Sequence, residues 1–267
     1  GPLFNMDGSV IGVNTAILSP NGGSIGIGFS MASNVVTRVV DQLKEFGETR
    51  RGWLGVRIQD VTQDVADAMG LSTATGALIT DVPDGPAKDA GLKTGDVIMS
   101  FAGVEVQDTR GLVRQVGNSA VGAAVRVTVL REGKTQTLKV TLGRREDAED
   151  DSTPAADPEE GAEPQGPETV SMLGLTVTPL TDDMREEYDA DESTNGLAVI
   201  EVDEASEAFE KGLRKGDVIT EAGQQSITTI ADLEDRVTEA RDAGRKSLLL
   251  LVRRAGDPRF VAIGLDE

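Results

Sequence analysis

One pair of motifs occurs twice in this chain, and that internal repeat limits the fold more than any other feature. Trp53-Leu54-Gly55-Val56 is answered by Met172-Leu173-Gly174-Leu175. Gly91-Leu92-Lys93-Thr94-Gly95-Asp96-Val97-Ile98 is answered by Gly212-Leu213-Arg214-Lys215-Gly216-Asp217-Val218-Ile219. The offset is 119 residues at the first motif and 121 at the second. Two motifs in the same order at nearly one offset mean one unit used twice, each copy about 95 residues, which suits a small domain.

Charge separates the copies. Residues 1–145 carry 15 basic and 14 acidic side chains, residues 146–168 none and ten, and residues 169–267 carry 11 and 22. The middle block also holds Pro154, Pro158, Pro164 and Pro167, and no apolar side chain larger than Ala or Pro. Such a stretch buries too little surface to offset its ordering entropy. It reads as an extended, self-repelling linker rather than a solvated loop inside one domain. The expected division is 1–47, 48–145, 146–168 and 169–267.

The net charge of −20 disfavours nucleic acid as a partner. Without Cys there is no disulfide framework and no thiolate site. Without His these residues hold no Ser-His-Asp triad, no His general base and no His-based zinc site. No metal and no cofactor are expected. The longest apolar run, Leu248 to Val252, is far short of the ~20 residues of a membrane span. No secretory signal is visible at Gly1, and the start reads as mid-strand.

Within the first repeat, Val56–Gln59, Ala77–Val82 and Asp96–Phe101 read as strands, and Val125–Leu130 with Thr137–Leu142 as a hairpin. Thr62–Met69 and Pro86–Ala90 read as short helices closed by Gly70 and Gly91. Asp108 caps a third helix that runs through Val116. The second repeat follows the same order, with a longer helix from Ile230 to Ala243. The fold class is mostly β with α: a small, largely antiparallel barrel with helices, twice. Upstream, Ser33–Phe46 reads as a helix capped by Ser33 or Asn34, with Val35, Val36, Val39, Val40, Leu43 and Phe46 as its apolar face. Gly26-x-Gly28 lacks the third Gly and the βαβ unit of a nucleotide loop.

The Leu-Gly turn before a strand, with Gly-Leu-x-x-Gly-Asp-x-Ile downstream, resembles the PDZ domain in its bacterial, circularly permuted form. Gly1-Pro2-Leu3-Phe4-Asn5, Gly12-Val13-Asn14-Thr15-Ala16-Ile17 and Ile25-Gly26-Ile27-Gly28-Phe29-Ser30 resemble the end of the trypsin-like domain of the HtrA (DegP/DegQ-type) serine proteases. The resemblance implies the C-terminal remnant of a trypsin-like β-barrel followed by two permuted PDZ domains. It places the nucleophilic serine two residues before Gly1 and the rest of the triad upstream, so no catalytic residue is expected here and the chain alone should be inactive. It further implies a parent serine endopeptidase of the bacterial periplasm or cell envelope, trimer-based, which degrades misfolded proteins in quality control and stress response. The other reading is a peptide-binding or scaffold module without proteolysis. Ile17 matches a position lining the family's primary specificity pocket, and it reads equally as an ordinary core residue.

The peptide chemistry follows from the residues. A C-terminal carboxylate needs convergent N–H donors, and successive amides in a turn form such a nest. Leu54, Gly55 and Val56 are the expected donors, with Gly55 giving the turn an unusual φ. The strand Val56-Arg57-Ile58 offers an edge on which a peptide adds. Leu112, Val113 and Val116 on the helix supply one wall of an apolar slot; Leu54, Val56 and Ile58 supply the other. Trp53 either walls this groove or covers an edge. Arg50 and Arg51 either meet the carboxylate or form a solvated hinge. In the second repeat the corresponding residues are Met172, Leu173, Gly174, Leu175, Ile230, Leu233 and Val237. Acidic Asp232, Glu234, Asp235 and Glu239 surround that helix row and disfavour an anionic chain end. The first repeat is therefore the expected reader of unfolded or C-terminal peptides, and the second an assembly element in a homo-oligomer.

Overall fold

A computed structural model describes residues 1–18, 25–145, 169–191 and 194–265. The acidic linker lies outside the described residues. The chain divides into two compact units, Gly1–Arg51 and Gly52–Glu267.

In the first unit, β1 (Pro2–Phe4), β2 (Val10–Ile17) and β3 (Gly28–Ala32) form an antiparallel sheet in that order, followed by α1 (Ser33–Phe46). The helix has the expected bounds but not the expected cap. Ala32 occupies the cap position without a side-chain bond, and Asn34 Oδ1 instead accepts from the adjacent Val35 N–H at 2.9 Å. Gly47 ends α1 in the left-handed region, its N–H donating to Leu43 O. Among the described residues of this unit only Gly12 is buried; Phe4, Ile11, Phe29, Val35 and Leu43 all lie exposed.

The first repeat comprises β4 (Gly52–Trp53), β5 (Arg57–Asp60), α2 (Gln63–Ala68), β6 (Ala77–Asp81), α3 (Pro86–Asp89), β7 (Val97–Phe101), β8 (Val104–Glu105), α4 (Thr109–Gly117), β9 (Ala124–Arg131), β10 (Lys134–Thr141) and β11 (Gly143–Arg144). Its main sheet runs β10-β9-β7-β6-β5, with β8 on β7, and β4 pairs separately with β11. As expected, Asp108 caps α4, its Oδ1 accepting from Gly111 N–H at 2.6 Å. Alternate residues point inward: Ala77, Ile79, Ile98, Phe101, Val127 and Val129 pack with Leu54 and Leu112.

The second repeat comprises β12 (Val170–Met172), β13 (Leu175–Pro179), α5 (Asp182–Glu187), β14 (Leu197–Val202), α6 (Glu207–Glu210), β15 (Val218–Ala222), β16 (Gln225–Ser226), α7 (Ile230–Asp242), β17 (Ser247–Arg254) and β18 (Asp257–Gly264). Its sheet runs β12-β13-β14-β15-β17-β18, with β16 on β15.

The shared Gly-Asp motif has a shared structural role. Asp96 and Asp217 are both fully buried. Asp96 accepts from Lys93 N–H and takes Arg131 as a bidentate partner, Nε and Nη2 each at 2.7 Å. Asp217 accepts from Arg214 N–H and takes Arg254 in the same way, at 2.6 and 2.8 Å. Each arginine also donates to the carbonyl of the motif's first glycine, Gly91 or Gly212. A buried carboxylate needs this full set of partners.

The repeats share a third apolar cluster. Val61, Val65, Ala66, Leu78 and Val97 of the first meet Leu249, Leu251, Phe260 and Ala262 of the second. β6, β7, β17 and β18 therefore bury both faces: odd residues of the Leu248–Val252 run face the other repeat, and even residues their own core. Lys211 pairs with Asp64, Arg57 with Asp257 at 3.1 Å, and Arg253 with Asp81 at 3.6 Å around this cluster.

Candidate functional site

The first repeat keeps one sheet edge open. β5 is the outer strand, and the chain before it is drawn aside because Gly52–Trp53 pairs with Gly143–Arg144. Gly52 packs so closely on the end of α4 that a Cβ would lie 2.6 Å from Val116 O. The indole of Trp53 lies over Gly55, Gly85 and Gly143 beside Pro86. Trp53 thus fastens the turn. Gly55 has φ +80°, and a Cβ there would meet Pro86 Cδ and Trp53 Cη2, each at 3.3 Å. The glycine is needed by the turn's φ and packing. Leu54 anchors the turn in the core. Among the described residues, the N–H groups of Leu54, Gly55 and Val56 donate to no backbone or side-chain acceptor. Three successive amides without partners, ahead of an open strand, have the form of an anion nest.

The three expected wall residues of α4 differ in exposure. Leu112 is only 1% exposed and packs with the core. Val113, 53% exposed, presents the free apolar surface. Thr109, Val113 and Val116 form the stripe at i, i+4 and i+7, with Val116 largely buried beneath it. On the strand side Val56 and Ile58 are half-buried against the core. At the far end Asp60 Oδ1 accepts from both N–H and Oγ1 of Thr109 at 2.8 Å, tying β5 to the start of α4. Those bonds hold the Asp60 carboxyl below its ordinary pKa. Arg57 turns away from the groove, toward Asp257 and Asp81. Arg50 is engaged within the first unit: it pairs with Glu48 and stacks on the Phe46 ring at 4.0 Å. Ile17 ends β2 and is 59% exposed, outside any core.

The second repeat uses the same Leu-Gly pair differently. Leu173 (φ +53°) and Gly174 (φ +70°) are both left-handed and form a two-residue hairpin turn between β12 and β13. The edge of β13 is covered by the chain's own strand. Leu173, Leu175, Ile230, Leu233 and Val237 are core residues, with Met172 half-buried against them. The expected groove of these residues is therefore filled. The signal for this was present: Val170-Ser171-Met172 and Leu175-Thr176-Val177 alternate apolar and polar about the turn, whereas Arg51-Gly52-Trp53 does not. Among the described residues no acidic cluster could hold a metal ion, and no helix is long and apolar enough to cross a membrane.

Over its full length the chain is 40% identical to a protein of Brucella suis named as a DegP-like periplasmic serine endoprotease, covering 50% of that protein. A DegP-like protein of Bartonella henselae is 40% identical over 98% of the chain, again covering 50% of the relative. The chain thus spans about half the length of the curated relatives it matches. Among solved structures, a serine-to-alanine variant of the HtrA-type protease AlgW with a decapeptide matches with TM-score 0.50 and 38% identity, covering 54% of this chain and 44% of that one. The PDZ domain matches residues 23–142 and 171–264, and with both repeats accounted for, the chain belongs to the PDZ-domain family.

Proposed function

We propose that this chain is the peptide-capturing PDZ module of a periplasmic DegP-like serine endoprotease, and that its first PDZ domain takes the C-terminus of an unfolded chain. The observation that carries this is the open edge of β5 behind the unpartnered amides of Leu54, Gly55 and Val56. The amides receive the carboxylate, β5 pairs with the peptide backbone, and Val113 with Val56 and Ile58 receives its terminal apolar side chain. Proteolysis belongs to the parent protein, whose relatives are twice as long. The exposed apolar sheet and helix of residues 1–51 support a further body of protein covering them there. Homo-oligomeric assembly is part of the same proposal.

A labelled peptide ending in Val with a free carboxylate tests the reading against its C-terminal amide. Charge-assisted hydrogen bonds contribute roughly 1.5–3 kcal/mol each, so amidation weakens binding about tenfold or more. Equal binding of the two forms would rule out carboxylate capture and leave internal strand addition.

A further inference from the structure

The edge of β13 corresponds to the open edge of β5, and it is already paired. Val170, Ser171 and Met172 run antiparallel to it, opposite Val177, Thr176 and Leu175. Val170 and Met172 pack, half-buried, on the core that contains Ile230, Leu233 and Val237. Ser171 lies on the other face, its hydroxyl 3.0 Å from that of Thr176. An apolar–polar–apolar strand laid antiparallel on a sheet edge is what a captured peptide would present.

We propose that the second PDZ domain is occupied by its own strand β12, an internal pseudo-ligand that closes the domain to peptides until the strand is displaced. This rests on the reading of β5 and β13 as peptide-accepting edges. The two repeats differ because β4 is held off its edge by β11 and by the packing of Trp53, whereas β12 is folded back by the two-residue turn. A strand tethered by two residues competes at an effective concentration of about millimolar or above. A free peptide therefore meets the second domain at least about tenfold more weakly than it would meet the bare edge.

The test titrates the full chain calorimetrically with acetyl-Ala-Ala-Glu-Thr-Val-Ser-Met bearing a free carboxylate. Three forms are compared: the unaltered chain, a released form (Val170→Asp with Met172→Asp), and a locked form (Ser171→Cys with Thr176→Cys). The chain has no other cysteine, so oxidation joins only this cross-strand pair. The expected result is one tight site in the unaltered and oxidised locked chains, and two in the released chain. Amide exchange gives a second measurement that does not depend on the released form folding. At high peptide concentration, residues 57–60 gain protection in both redox states of the locked form, and residues 170–172 lose it only when reduced, as the displaced strand leaves β13. Two equal sites in the unaltered chain, a folded released form with one site, or equal protection of 170–172 in both redox states would overturn the proposal. Binding to no form would remove peptide capture itself, and this proposal with it.

Discussion

The side-chain amide of Gln59 pairs with the backbone of Phe260 as another peptide unit would. Gln59 Nε2 donates to Phe260 O at 3.2 Å, and Phe260 N–H donates to Gln59 Oε1 at 2.8 Å. Phe260 lies on β18, the outer strand of the second domain's sheet, so one side chain of the first domain caps an edge of the second. Gln59 stands on β5, the outer strand of the first domain's sheet, so that strand is braced by the neighbouring domain.

Because the two PDZ domains share an apolar cluster and this pairing, residues 52–265 are expected to unfold in one urea transition. Gln59→Ala removes two hydrogen bonds and costs about 1–3 kcal/mol, given roughly 0.5–1.5 each. Leu251→Asp, which puts a carboxylate into the shared cluster, is expected to split the transition in two. A single transition in that variant would show that the domains are not coupled through this face.

Much of the fold was legible because period and turn chemistry act locally. The repeat, helix α1 and the cap at Asp108 follow from spacing alone. The contact between the domains was written in Leu248–Val252, whose lack of alternation marks burial on both faces, but a run does not name its partner. Adjacent residues of α4 stand about 100° apart around its axis, so of the expected wall Leu112 packs into the core while Val113, named with it, stands exposed. The two Leu-Gly turns look alike in sequence and differ in structure because the strand before the first pairs with the distant β11, whereas the strand before the second folds back on its neighbour β13.

The buried carboxylates of the Gly-Asp motif should be the most sensitive polar positions. Asp96→Ala leaves Arg131 without its bidentate partner and the Lys93 N–H unpaired. The arginines left behind reach solvent (side chains 19% exposed for Arg131, 46% for Arg254), so the cost is mainly that of the buried bonds lost, about 1–3 kcal/mol. Denaturant unfolding of Asp96→Ala and Asp217→Ala should show losses of this size; a loss under about 1 kcal/mol would mean the motif is a surface feature.

Helix α7 carries a pH-dependent cap. Thr229 Oγ1 accepts from Asp232 N–H, while Asp232 accepts from the N–H groups of Thr228 and Thr229 at 2.9 and 2.8 Å. These bonds lower the Asp232 pKa from 3.8 to about 2. A carboxyl with a depressed pKa stabilises the fold above its unfolded value and loses that contribution as pH falls through its folded value. The stability difference between the unaltered chain and Asp232→Ala should therefore be constant above pH 5 and shrink between about pH 4 and 2. Urea midpoints at pH 6, 4 and 2 measure it, and a gap that widens on acidification would contradict the assignment.

Replacing each Leu-Gly glycine should separate binding from stability. Gly55→Val strains a residue at φ +80° and presses on Trp53 and Pro86, which lie next to the free amides. It is expected to weaken peptide binding at the first domain about tenfold or more, since misaligned donors forfeit a charge-assisted bond. Gly174 has φ +70°, and a Cβ there would overlap the Cβ of Ser206 and lie 2.6 Å from its Oγ. Ser206 caps α6, its Oγ accepting from Phe209 N–H, so it cannot yield without loss. Gly174→Ala should cost about 2–5 kcal/mol, combining roughly 1–2 for the left-handed backbone with roughly 1–3 for overpacking. Peptide binding at the first domain should be unchanged. Adding Ser206→Gly removes the overlapping atoms, and because Gly is tolerated at a helix cap at a cost of only a few tenths of a kcal/mol, the pair should recover the overpacking share. Calorimetric titration and urea unfolding of the three variants decide the matter. Lost peptide binding in Gly174→Ala, with Gly55→Val binding normally, would mean that the second domain is the reader and the first is not.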